Sequence, residues 1–203
     1  MLTSGAIVGL SSVSVTCVSY AAEGWGVGEV WHDGSRLVWH ELPRPAAGPP
    51  IGRRARARET PSQGGVKRPP PSSSTIPAKG ARVSRRSAVK AEQLVHTLNA
   101  YFEGARPDFR GVEVDVDGWT PFQLDIARAL RAVPFGEVVS YAELAQLAGY
   151  PRAQRAAGTF CARNRFPLVV PCHRVVSADG LGSYGSLGLD YKRRLLALEG
   201  VTL

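Results

Sequence analysis

Apolar residues along this chain recur with two periods. Residues 12–20 alternate, with Val13, Val15 and Cys17 on one side, and the stretches 25–31 and 36–42 flank Asp33-Gly34. All three predict strands, and the last two a hairpin, because Asp-Gly suits the positive-φ positions of a tight turn. From Ser87, a candidate N-cap, Leu94, Val95, Leu98, Tyr101 and Phe102 share one helical face that Gly104 can end. That helix is expected to cover the small sheet. Val112, Val114 and Val116 alternate again, as a short strand or an extended crossover. Thr120 with Gln123 forms a capping box and Pro121 takes the first helical position, opening a helix with Phe122, Ile126, Leu130 and Val133 as its buried stripe.

A second capping box, Ser140 with Glu143, starts a short helix that Gly149 ends, and Pro151 starts another running to about Asn164. Two short helices joined by a Gly-containing turn predict a helix-turn-helix. On the second, Arg152, Arg155, Thr159 and Arg163 fall in one arc beside an apolar arc of Ala153, Ala157 and Phe160. A plain solvated face would show the same spacing. Leu168-Val169-Val170 runs into Pro171-Cys172-His173-Arg174-Val175-Val176, read as a buried strand or extended segment. A Gly-rich stretch at 180–188 follows, and a helix over about 190–199, with Leu195 and Leu198 inward, stops at Gly200.

The fold class is therefore α+β: a sheet-plus-helix domain over residues 1–43 and 87–117, an insertion at 44–86, and a C-terminal domain at 118–203. The insertion is the source of most of the charge. Between Arg44 and Lys90 stand 12 Lys and Arg against one acid, a net of +11, so the rest of the chain carries −3 of the overall +8. Nine of the fifteen prolines also lie between residues 43 and 77, and such a segment is expected to be a mobile, self-repelling linker. The local excess that matters sits at 150–174, where five arginines meet no acid.

With 203 residues, 44% of them hydrophobic, the chain is long enough for one or two domains with a real core. No stretch of 18 uncharged apolar residues is present to span a bilayer, and the run at 6–18 lacks the positive flank of a signal peptide, so a cytoplasmic protein is expected. Three scattered cysteines, Cys17, Cys161 and Cys172, form neither a disulfide framework nor a metal knuckle, and no metal is expected.

Cys172-His173 is the one place where a soft nucleophile adjoins a base that titrates near neutral pH. In an extended segment their side chains would face opposite ways, so His173 would need a turn or an intervening water to reach the thiol proton. A core cysteine beside a surface histidine is the bland alternative. Glu199 is a further oddity, since a carboxylate in the last turn of a helix opposes the macrodipole and calls for compensation.

These residues carry a resemblance to the O6-alkylguanine-DNA alkyltransferases, whose active site reads P-C-H-R-V as at residues 171–175. The likeness extends through Thr120-Pro121-Phe122-Gln123, the stretch 134–141, Arg155-Ala156-Ala157-Gly158, Asn164 and residues 195–200, about 85 residues in the family's order. The upstream strands resemble the family's small N-terminal sheet domain more loosely. The resemblance implies a winged-helix-like alkyltransferase domain that moves the alkyl group of O6-alkylguanine, and less well O4-alkylthymine, irreversibly onto Cys172. Each molecule would act once, without cofactor or metal, as a monomer on double-stranded DNA and away from membranes. By the same resemblance His173 deprotonates Cys172 through a water, Glu199 orients His173, and Asn164 braces the active-site turn. Arg155 would fill the gap left by an extruded nucleotide and Tyr141 would help rotate it. Arg152, Ala153, Ala156, Gly158 and Thr159 would lie against the minor groove. Val175, Tyr184, Gly185 and Cys161 would line the pocket. The sequence departs from the family at Arg165, where a proline often stands, and in the 180–188 loop, which loses one residue before Tyr184 and gains one after it. A lesion-binding protein without chemistry is the alternative, set against by the presence of Cys172. A cysteine hydrolase would need an oxyanion hole that nothing in the sequence suggests.

Overall fold

The computed structural model of the chain describes residues 15–45 and 85–203, with side chains from Lys90 onward in the second stretch. The expected start of the first strand at 12–14, the apolar run at 6–14 and nearly all of the basic insertion lie outside the described residues.

Strands β1 (Thr16–Ala22), β2 (Gly26–His32) and β3 (Leu37–Arg44) form an antiparallel sheet in that order. The Asp33-Gly34 hairpin is held by the Asp33 side chain, whose Oδ1 accepts from the Ser35 and Arg36 N–H groups at 2.8 and 2.7 Å. At the other turn a Cβ on Gly26 would lie 1.9 Å from the Arg44 carbonyl oxygen, and φ there is +110°, so only glycine fits. Helix α1 (Arg85–Phe102) covers the sheet as expected. Its Leu94, Leu98, Tyr101 and Phe102 are buried, and Phe102 meets Trp25 with ring centroids 5.1 Å apart. Ser87 lies inside this helix rather than at its cap.

Residues 112–116 do not form a strand. They touch the sheet through a single parallel bridge, Val114 to Leu37, in which the Leu37 N–H donates to the Glu113 carbonyl at 2.8 Å. The ladder stops there because β3 bulges: Trp31 pairs with Trp39 but His32 with Leu37, leaving Val38 as an extra residue.

Helix α2 (Pro121–Ala132) opens on both halves of the expected capping box and buries Ile126, Ala127 and Leu130, while Phe122 is only partly buried, edge-on to Tyr150. The second capping box, with Ser140 and Glu143, starts α3 (Tyr141–Leu147). Helix α4 (Gln154–Ala162) packs against α3 and buries Ala157 and Phe160. It begins three residues later than Pro151, because the Ala153 N–H closes a turn onto the Tyr150 carbonyl with Arg152 at φ +73°. Arg152 is thereby removed from the helical arc. A two-residue parallel pair, β4 (Val139–Ser140) with β5 (Val175–Val176), ties the active-site segment to the start of α3. Helix α5 (Gly188–Leu198) closes the fold with Leu195 and Leu196 inward.

Residues 168–170 form tight buried turns instead of the expected strand. The Val170 N–H reaches back to the Phe166 carbonyl at 2.7 Å, and Leu168 adopts φ +69°.

The two kinds of positive-φ glycine separate experimentally. Gly104→Ala, at φ +90° with open space around it, should lower unfolding free energy in urea by about 1 kcal/mol from backbone strain alone. Gly26→Ala adds the clash with Arg44 and should cost at least ~2 kcal/mol; equal costs would show that the sheet yields there freely.

Candidate active site

Pro171 leads into a 3₁₀ turn, Cys172–Arg174, in place of the extended segment the sequence suggested. The cause is local hydrogen bonding: the Cys172 N–H donates to Val170 O at 2.8 Å and the Arg174 N–H to Pro171 O at 3.0 Å. In such a turn neighbouring side chains diverge by about 120° rather than facing opposite ways. Both Cys172 and His173 therefore stay within the protein, 8% and 0% exposed.

Asn164 holds the sulfur. Its amide nitrogen donates to Cys172 Sγ at 3.2 Å and to the Val170 carbonyl at 2.7 Å, while its Oδ1 accepts from the Phe166 N–H at 3.0 Å. One side chain thus closes the loop that carries the thiol.

His173 Nε2 lies 2.7 Å from Glu199 Oε1. The same carboxylate accepts from the Tyr101 hydroxyl at 2.7 Å, from Arg174 Nε and Nη2 at 2.9 and 3.0 Å, and from the Gly136 N–H at 3.2 Å. Burial alone would raise the Glu199 carboxyl, but the hydrogen bonds from His173 and Arg174 outweigh it and hold the pKa well below the usual carboxylate range. Glu199 is ionised and can only accept, so Nε2 carries the imidazole proton. Burial lowers the pKa of His173, keeping the ring neutral. Its Nδ1 is then a bare lone pair, buried and without a hydrogen-bond partner. A buried base with a free lone pair can take a proton.

Cys172 rests as a thiol, since burial pushes its pKa up against the opposing effects of Asn164 and Lys192. Lys192 is a residue the sequence reading missed. It is fully buried on α5, its Nζ donates to the carbonyls of Val175 and Leu181, and its charge favours a thiolate at Cys172. The signal was available: Lys192 stands one helical turn before Leu195, in phase with the apolar stripe.

Tyr184 buries its hydroxyl near Cys172 without a well-formed hydrogen bond, and burial raises its pKa further than the neighbouring sulfur does. Tyr141 lies against the loop at Gly182 and Ser183, and Gly158 faces it from α4. Val175 is buried in β5, Gly185 is exposed at φ +44°, and Cys161 is half-buried on α4 with its thiol pKa raised by burial. On the outer side of α4, Arg155, Ala156 and Thr159 are exposed; Arg152 is exposed just before the helix, and Ala153 is half-buried at its cap. Of three clefts of about 270–310 Å³, one is bounded by Leu168, Val169, Pro171 and Arg174 of the active-site segment, but Cys172 itself borders none of them. Among the described residues no cluster of three or more His, Cys, Asp or Glu side chains could hold a metal ion.

A family model, "6-O-methylguanine DNA methyltransferase, DNA binding domain", matches residues 121–201. A methylated-DNA–protein-cysteine methyltransferase of Methanopyrus kandleri is 40% identical over 131 residues, 64% of this chain and 91% of that protein. One of Mycolicibacterium paratuberculosis is 47% identical over 106 residues, 52% of this chain, but the match spans only 62% of the relative's length. The crystal structure of Mycobacterium tuberculosis OGT in complex with DNA superposes with a TM-score of 0.61 at 31% identity, covering 90% of this chain and 91% of that one.

The buried neutral histidines give the fold a defined response to acid. His32, His40 and His173 all have pKa values lowered by burial, that of His40 to about 4. A histidine lowered in the folded state contributes stability that is complete above its unfolded value of about 6.5 and is lost as pH falls below it. The urea midpoint should therefore decline between pH 7.5 and pH 5.5, and His173→Gln should flatten the slope. Glu199, lowered in the folded state, should add a further loss only below about pH 4.5, where unfolded glutamate protonates. A midpoint constant to pH 5.5 would show that these rings titrate in the fold as they do in the unfolded chain.

Proposed function

The chain belongs to the methylated-DNA–protein-cysteine methyltransferase family, and on that footing we propose that it repairs O6-alkylguanine, and less well O4-alkylthymine, in duplex DNA by moving the alkyl group irreversibly onto its own Cys172. The observation that carries the reading is the orphaned Nδ1 of His173, fixed by Glu199 at its other nitrogen and adjacent in the chain to a thiol that burial keeps protonated. A resting thiol needs a base at the moment of reaction. Through one bridging water, His173 Nδ1 takes the proton of Cys172, and the resulting imidazolium is stabilised by the ionised Glu199. The thiolate, steadied by the Asn164 amide and the Lys192 ammonium, attacks the alkyl carbon. A C–S bond forms, the C–O6 bond breaks, and the electron pair leaves with guanine, which regains its ordinary protonation from the relay. The thioether has no route back, so each molecule acts once and needs no cofactor or metal.

The target atom lies inside the base stack, so the nucleotide must be extruded at a cost of a few kcal/mol. Arg155 on the exposed side of α4 fills the vacated space, with Arg152, Ala153, Ala156, Gly158 and Thr159 against the minor groove. Tyr141, kept protonated by burial, meets the displaced nucleotide, and Val175, Tyr184, Gly185 and Cys161 bound its pocket. Since Cys172 is only 8% exposed, the 181–188 loop shifts as the base enters. The DNA complex of the M. tuberculosis relative supports DNA as the partner. Residues 118–203 form the reacting unit, acting as a monomer in the reducing cytoplasm, where a thiol persists.

Incubation with an oligonucleotide containing O6-methylguanine should add one methyl group, found by mass spectrometry on the Cys172 peptide and absent from Cys172→Ala. An unmodified Cys172 with lesion binding retained would make this a recognition protein instead. Arg155→Ala should slow transfer from duplex DNA at least tenfold while free O6-benzylguanine reacts at the wild-type rate; equal losses would remove Arg155 from nucleotide extrusion.

A further inference from the structure

We propose that the N-terminal sheet controls the reactivity of Cys172 through His40, a positioning residue that clamps the loop bearing Asn164. The inference rests on the reading of Cys172 as the alkyl acceptor and assigns the sheet a part in that reaction.

β3 is an edge strand, and in a regular strand only alternate residues turn their N–H toward the free edge. Leu37 does so, bonding Glu113 and Asp115. The extra residue Val38 then shifts the alternation by one, so that His40 also presents its N–H outward, and both side chains, each 3% exposed, face the core. The His40 N–H donates to Arg165 O at 2.9 Å. Its ring Nδ1 lies 2.7 Å from Pro167 O, which can only accept, so Nδ1 carries the proton. Nε2 must then accept from the Tyr20 hydroxyl at 2.7 Å. Backbone and ring of one residue thus hold two carbonyls that bracket Phe166, whose own N–H is bound by Asn164 Oδ1.

The second carbonyl is the critical one. The Pro167–Leu168 peptide plane sets φ of Leu168, and that φ is +69°, a conformation costing about 1–2 kcal/mol for a residue with a Cβ. A hydrogen bond from His40 to the Pro167 carbonyl fixes that plane. Without it the peptide can turn over and Leu168 relaxes to negative φ. The loop then pulls Asn164 out of register with the sulfur it donates to at 3.2 Å. Arg165 anchors the same loop from the other side, its Nη2 donating to Asp115 O at 3.0 Å.

The test uses the full chain and compares His40→Leu, His40→Gln and Leu94→Ala. Glutamine can donate its amide to Pro167 O and accept from Tyr20; Leu94→Ala, at a residue buried on α1 beside His32 and Leu37, weakens packing on the same sheet without being part of the clamp. Two rates are read: transfer from free O6-benzylguanine, and iodoacetamide alkylation of the Cys172 peptide against pH, resolved by mass spectrometry from Cys17 and Cys161. His40→Leu should lose about tenfold in transfer and move the alkylation midpoint up by about one pH unit. His40→Gln should recover most of both, and Leu94→Ala should keep wild-type values despite a lower Tm. Unchanged rates in His40→Leu, or an equal loss in Leu94→Ala, overturn the clamp. Wild-type protein left unmodified at Cys172 by the O6-methylguanine oligonucleotide would instead retire the acceptor reading, while the iodoacetamide profiles would still decide the role of His40.

Discussion

The ionised carboxylate of Glu199, buried at the end of α5, is the constraint around which the rest is arranged. A charge removed from water is stable only when its lone pairs are met. Here five hydrogen bonds meet them, from Tyr101 on α1, Gly136 after α2, and His173 and Arg174 in the 3₁₀ turn. Because the donors come from separate elements, the carboxylate cannot be satisfied unless the helix covering the sheet, the turn after α2 and the active-site turn are docked together. The ion that orients His173 is therefore also a joint of the fold, and losing one donor would leave the remainder around an under-compensated charge.

That joint sets the division of labour at the thiol. With Arg174 holding Glu199 ionised, the His173 Nε2 hydrogen has one place to go, and the basic lone pair is confined to Nδ1. Burial simultaneously keeps Cys172 protonated. The combination stores a nucleophile in an unreactive form beside a base that can release it. Lys192 takes part by stabilising charge once it forms, and it is held for this by two backbone carbonyls instead of a carboxylate that would cancel it.

Local patterns in the sequence read well wherever short-range physics decides the outcome. Both capping boxes, the Asp-Gly hairpin and the α1 stripe depend on residues within four positions of one another, and all appear in the structure. The Cys172-His173 pair and the unfavourable placement of Glu199 were legible as chemistry. What periodicity could not reveal were polar partners distant in the chain. Tyr101 was placed on the apolar face of α1, but nothing nearby told that its hydroxyl ends on Glu199, 98 residues on. Apolar composition at 168–170 suggested a strand, whereas Asn164 closing a turn across it decided otherwise. Pro151 looked like a helix start until Arg152 turned left-handed and delayed α4.

The same limit hides from the sequence what the sheet does beside the site. An edge strand presents unpaired N–H and C=O groups that invite pairing with another chain, and proteins commonly cover them. β3 is covered twice, by residues 113–115 at Leu37 and by the Asn164 loop at His40, with the Val38 bulge supplying the parity that makes both contacts possible. Covering an edge needs only backbone partners. A buried imidazole that also grips the Pro167 carbonyl is more than that need requires, and its position next to the one left-handed residue of the active-site loop ties protection of the sheet to the shape of the site. An apolar side chain at position 40 would fill the space at lower desolvation cost. The histidine is better explained by the carbonyl it holds than by the core it occupies.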